Sequence, residues 1–235
     1  MATPERPTFL LIHGANSTGA ELALLTRLLE PHGRVLAPNL IGHGGRPLPD
    51  RFWIQDWAED LLQYMDAEKV RKPILVGYSI GGVIALWLAR HHGAKLRGVC
   101  AIAPKTVWDE STVKHFTHLC DPERIARPEN PRGQVVPALH LPNDWKDVVK
   151  KLAQLWPALG RAPALTDEDF AAITVPVLLM SGTTDQLVRW DEILALAQKM
   201  PKVEVGSIEG YAHPLQTMPL KGVVKLLLDW TGRLP

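Results

Sequence analysis

Cysteine is nearly absent from this chain: Cys100 and Cys120 are the only two in 235 residues. So few thiols exclude a disulfide framework, and Cys100, inside the apolar run GVCAIA, reads as a buried free thiol. A surplus of charge is missing too, because 26 Lys and Arg face 25 Asp and Glu. Without a strong field there is little to hold a phosphate backbone or an anionic lipid surface, so neither nucleic acid nor membrane is an expected partner. No apolar stretch approaches the roughly 20 residues that span a bilayer. The apolar part of MATPERPTFLLIHG is too short for a secretory h-region, so a cytoplasmic protein is expected. Internal repeats and low-complexity tracts are lacking as well. What remains is the composition of an ordinary globular protein, long enough for one domain with a full core.

Short β-type runs alternate with longer segments of helical period, the pattern of a parallel sheet covered by helices. The expected strands are residues 8–13, 34–38, 73–78, 98–103, 176–181 and 203–208, several of them apolar at nearly every position, as strands buried on both faces should be. Between the first two, Thr18 and Glu21 form a capping-box signature ahead of Leu22, Leu25, Leu28 and Leu29 on one helical face. Further helices are expected over 52–66, where Trp53, Trp57, Leu61 and Tyr64 recur at core spacing, from Ile80 through His92, over 190–200, and over 216–230 with a break or start near Pro219. Residues 104–173 depart from this rhythm. They are rich in proline and hold no clear strand, and a structureless loop of that length would be unusual, so they predict an inserted helical cap with helices near 109–119, 143–156 and 166–173. The fold class is therefore α/β: a mostly parallel, doubly wound sheet of about six strands with helices on both faces and a helical cap. Residues 1–103 and 174–235 form the core and 104–173 the cap.

The most informative stretch is LVGYSIGG, residues 75–82. Gly77-Tyr78-Ser79-Ile80-Gly81 fits G-x-S-x-G where a buried strand ends and a helix begins, so that the serine occupies the turn between them. Glycines on either side have a steric reason, since a strained turn between closely packed elements leaves no room for side chains. A serine hydroxyl is a poor nucleophile unless a base reaches it and a carboxylate orients that base. Asp185, in GTTDQLV after the fifth strand, and His213, in EGYAHP after the sixth, supply both at successive strand ends. The chain order Ser79, Asp185, His213 suits a doubly wound sheet. Backbone amides at a helix start serve an oxyanion well: Ile80 follows the serine, and Ala15, in IHGANSTG after the first strand, is best placed for the second. Asn16, Tyr78 and Trp108 are the candidate substrate contacts.

At these residues the chain resembles the α/β-hydrolase superfamily. The resemblance runs through IHG at 12–14, NLIGHGG at 39–45, GYSIGG at 77–82, SGTTDQLV at 181–188 and GYAHP at 210–214. It implies a nucleophile at Ser79, an acid at Asp185, a base at His213, oxyanion amides at Ala15 and Ile80, and a cap after the strand GVCAIA. Asn39-Leu40-Ile41-Gly42-His43-Gly44 departs from the Asp-Leu-Pro-Gly-His-Gly of many relatives, and the antiparallel strands that often precede the first parallel one are not expected here.

Other clusters read more plainly. His115, His118 and Cys120 lack a second ligand pair at zinc spacing and suit a polar helix face, so no metal and no cofactor is expected. His43 reads as a structural hydrogen-bond donor, His91 and His92 as the end of a helix, and Asp109 and Asp191 as fallback candidates for the triad acid. Trp108, Trp145 and Trp156 lie in the cap, two of them expected in its core. The expected activity is hydrolysis of a small carboxylic ester, lactone or thioester through an acyl-enzyme, by a monomer or homodimer acting on a small molecule. The alternatives are a C–C hydrolase or lyase, with Lys105, Arg124, Arg127 and His140 as candidate substrate anchors, and a ligand-binding protein with weak turnover.

Overall fold

The computed structural model describes residues 6–235; the first five residues of the expected core lie outside it. Six strands form a single sheet: β1 (Thr8–Ile12), β2 (Arg34–Leu36), β3 (Ile74–Tyr78), β4 (Gly98–Ile102), β5 (Val177–Gly182) and β6 (Val203–Ile208), in the spatial order β2-β1-β3-β4-β5-β6. Every neighbouring pair is parallel. All six expected strands are present, with ends shifted by up to two residues.

Strand alternation divides the core into two halves. Leu10 and Ile12 of β1 point into one buried cluster and Phe9 and Leu11 into the other. The first half is covered by α2 (Ile54–Ala67), α3 (Ile80–His92) and α9 (Trp190–Ala197), the second by α1 (Ala23–Leu29) and α10 (Leu220–Thr231). Trp57 and Leu61 of α2 are buried, as helical spacing predicts, and Trp53 and Tyr64 pack at the edge. No helix among the described residues is long and apolar enough to cross a membrane.

Between β4 and β5 run α4 (Glu110–Leu119), α5 (Pro122–Ile125), α6 (Arg132–Leu139), α7 (Trp145–Arg161) and α8 (Asp167–Ala171). Two of these, α5 and α6, are not among the expected helices. Pro122 occupies the first turn of α5 and Pro131 the N-cap of α6, where a missing N–H costs nothing, while Pro137 lies inside α6. The helix α7 also runs past its expected end, through Pro157, because its apolar face of Val148, Val149, Leu152, Leu155, Trp156 and Leu159 continues to bury surface beyond it. Trp156 is fully buried, stacked on Trp108 at 5.3 Å and donating from Nε1 to the Cys120 sulfur at 3.3 Å. Trp108 and Trp145 are half-buried.

The crevice that matters lies between β1 and β3. The chain leaves β1 toward β2 on one side and returns to β3 on the other, so the loops at their carboxyl ends diverge, and ligands of open α/β sheets bind at such a point.

Candidate active site

Ser79 sits at φ 55°, ψ −119°, a strained conformation for a non-glycine residue, between the end of β3 and the first residue of α3. The neighbouring glycines permit it. A β-carbon on Gly77 would overlap the carbonyl of Gly81, and one on Gly81 would overlap the carbonyl of Ile12, both of them backbone that cannot move aside. The turn is pinned by the Ser79 N–H donating to Ile102 O at 2.8 Å. Ser79 keeps 8% of its surface exposed.

The structure brings Asp185 and His213 to this serine. His213 Nε2 lies 3.2 Å from Ser79 Oγ, and His213 Nδ1 lies 2.8 Å from Asp185 Oδ2. The other carboxylate oxygen, Oδ1, accepts from the N–H groups of Leu187 at 2.8 Å and Val188 at 2.9 Å, so the acid is held at both ends. Asp185 is 2% exposed. The loops after β5 and β6 are tied together as well: Thr184 N–H donates to Tyr211 O at 3.1 Å and Gly210 N–H to Thr183 Oγ1 at 2.9 Å. The fallback acids have other tasks. Asp109 caps α4 through Thr112 N–H, and Asp191 is an exposed partner of Arg189.

Ile80, as the first residue of α3, carries one of the leading amides that have no acceptor within a helix. Ala15 lies in the turn after β1 between Gly14, whose N–H donates to Glu21 Oε2 at 3.3 Å, and Asn16, which adopts φ 53°. Asn16 is buried and its Oδ1 is 3.1 Å from Nε2 of His140. Tyr78 differs from its expectation as a substrate contact: its hydroxyl donates to the carbonyl of His213 at 2.8 Å, and its ring packs 5.3 Å from the imidazole and against Gly14. Its polar atom is spent on holding the histidine loop, and burial pushes its pKa well up. Trp108 stacks within the helices between β4 and β5, against Trp156 and Phe116.

Three further residues, Glu21, His13 and His43, hold the loops around the site. Glu21, expected in a capping box with Thr18, makes no such box, and the Thr18 side chain caps nothing. Its carboxylate instead bridges Gly14 N–H and Gln216 Nε2 (3.1 Å), lashing the turn after β1 to the histidine loop, and burial raises its pKa. His13 is wholly buried, with Nδ1 2.8 Å from Gly14 O and Nε2 accepting from Leu40 N–H at 3.0 Å; burial lowers its pKa to about 4. His43, read as structural, is fully buried with Nδ1 3.2 Å from Ile41 O. His13 and His140 flank it, with ring centres at 5.2 and 5.5 Å.

A serine, a part-buried imidazole and a carboxylate in line at three strand ends, on a parallel sheet of this order, suit a hydrolase of the α/β class. The chain belongs to the alpha/beta hydrolase family, whose model matches residues 9–226. It is similar to the putative carbamate hydrolase RutD of Stutzerimonas stutzeri (strain A1501), with 25% identity over 96% of this chain and 92% of that protein. Among solved structures it is similar to a thermophilic esterase from Thermogutta terrifontis (TM-score 0.77, 20% identity, 98% of this chain and 91% of that one). It is also similar to the enol-lactonase from Burkholderia xenovorans LB400 (TM-score 0.76, 19% identity, 99% and 94%).

Proposed function

We propose that this hydrolase cleaves a small carboxylic ester, lactone or thioester through an acyl-enzyme on Ser79. The observation that carries this reading is the unbroken hydrogen-bond line from Ser79 Oγ through both nitrogens of His213 to Asp185. As the hydroxyl attacks the carbonyl carbon, His213 Nε2 takes its proton, and the Nδ1–H bond to Asp185 holds the ring in the required tautomer and stabilises the imidazolium. The oxyanion that forms is met by the amides of Ala15 and Ile80, the latter with the α3 dipole behind it. The same histidine returns its proton to the leaving alcohol or thiol, then activates a water that releases the acid. The helices over residues 104–173 form the cap above this centre.

The anchors that C–C cleavage or elimination would need favour it less. Lys105, nearest the core, has both oxygens of Glu192 at 2.8 and 3.0 Å and is 3% exposed, so its charge is already answered. Relatives named as carbamate hydrolase and enol-lactonase share acyl transfer to water, and the ester or lactone reading keeps that chemistry. A panel of p-nitrophenyl esters tests it: saturable release of p-nitrophenol is expected from the wild type, with Ser79→Ala reduced to the uncatalysed rate. Turnover that survives in Ser79→Ala would overturn the assignment.

A further inference from the structure

One buried side-chain hydrogen bond joins the turn after β1 to the cap. His140, just past the end of α6, has no exposed surface, and its Nε2 lies 3.1 Å from Oδ1 of Asn16, 124 residues away. On the other side of the ring, Nδ1 faces the N–H of Gly44 at 3.4 Å. A backbone N–H only donates, so Nδ1 is the bare nitrogen of a neutral ring and Nε2 carries the proton. Burial keeps the ring neutral by lowering its pKa to about 4. Nε2–H demands an acceptor, and that fixes the Asn16 carboxamide: Oδ1 faces the histidine and Nδ2 faces away. The docking is reinforced beside it, where Asn143 Nδ2 donates to Arg46 O at 2.7 Å.

The consequence falls on Nδ2. It is buried, on a residue 6% exposed, and has no acceptor among the described residues. A buried amide donor without a partner is destabilising, and native structures rarely keep one without a use. This one stands one residue after Ala15, in a backbone conformation (φ 53°) that few residue types adopt. We propose that His140 is a positioning residue which turns Asn16 Nδ2–H onto the substrate, where it donates to a second acceptor atom beside the scissile carbonyl. The enzyme therefore prefers acyl groups that carry an ether, keto or carbamoyl oxygen over plain alkyl ones. This rests on the reading of Ser79 as the nucleophile.

Two isosteric esters test it, p-nitrophenyl methoxyacetate and p-nitrophenyl butyrate, which differ by one oxygen in the acyl chain. Asn16→Asp keeps the acceptor for His140 and tolerates the backbone conformation but has no N–H to offer. It is expected to lower kcat/KM for the methoxyacetate about tenfold more than for the butyrate, the worth of one hydrogen bond. His140→Phe, which keeps the ring and removes the donor, is expected to lose most of the same discrimination, and His140→Gln, which keeps a donor, to retain it. Adding His140→Phe to Asn16→Asp should change the ratio no further. Equal losses on both esters in both single variants would mean a purely structural bridge and overturn the proposal. So would an unchanged ratio. Retained covalent labelling of Ser79 by a fluorophosphonate alongside either result confines the failure to this inference; loss of labelling in the wild type overturns it together with the nucleophile assignment.

Discussion

Acidification should destabilise this protein across the range in which histidines titrate, and the buried histidines behind the site are the reason. In His13 the two ring nitrogens have opposite tasks, Nδ1–H donating to Gly14 O and Nε2 accepting from Leu40 N–H. A second proton would place N–H against N–H in a wholly buried setting. The folded state accordingly holds this histidine neutral down to about pH 4, against an ordinary value of 6.5. The stability that comes from keeping it neutral is complete above pH 6.5 and is lost as pH falls from there toward 4, because the unfolded chain takes up the proton first. Between pH 7 and pH 5 the loss from His13 alone is about 2 kcal/mol, roughly 4–8 °C in Tm for a chain of this size. His43 and His140, also held below their ordinary range, act in the same direction. Glu21, whose carboxyl is raised by burial, opposes them by taking a proton more readily when folded. Urea titrations at pH 7 and pH 5 measure the balance, and the unfolding reaction at pH 5 should take up about one proton per buried histidine. A midpoint that stays level or rises on acidification would refute the reasoning.

Three further outcomes follow from the same structure. Asp185→Asn should lower kcat on an ester by about 10⁴-fold with little change in KM, because the amide cannot hold the His213 tautomer; steady-state kinetics read this directly. Lys105→Met should destabilise the fold by about 3 kcal/mol, since it leaves the nearly buried Glu192 carboxylate with only the exposed Arg189 at 3.9 Å, and the double variant Lys105→Met/Glu192→Leu should regain most of the loss in urea melts. Cys100, fully buried with its thiol pKa pushed far up by burial, should resist a disulfide exchange reagent in the native state and react at once in denaturant.

Much of this was legible in the chain because the signals are local. Strands buried on both faces must be apolar throughout, so Ile74–Tyr78 and Val177–Gly182 announce themselves, and the glycines around Ser79 mark a turn where strand and helix nearly touch. The helix expected from residue 166 is present as α8, opened by a capping box of Thr166 and Asp169. The box read at Thr18 and Glu21 failed, because Gly14 N–H and Gln216 compete for that carboxylate and neither is visible from the helix alone. Proline punctuation concealed α5 and α6, whose rings sit at the helix starts and, at Pro137, inside α6. His140 was legible only as a candidate substrate anchor, since its partners are Asn16 and Gly44, roughly a hundred residues away in sequence. The task of the Tyr78 hydroxyl was not legible, because only the fold reveals that the His213 carbonyl claims it.

The central claim is that Ser79 Oγ is the atom that attacks, and covalent labelling measures it most directly. A fluorophosphonate incubated with the protein and followed by peptide mass spectrometry should add one adduct, on the peptide containing Ser79. The adduct should be absent in Ser79→Ala and form at least about a hundredfold more slowly in His213→Ala, which lacks the base. An adduct on any other residue, or none at concentrations that inactivate a serine esterase control, would contradict the account.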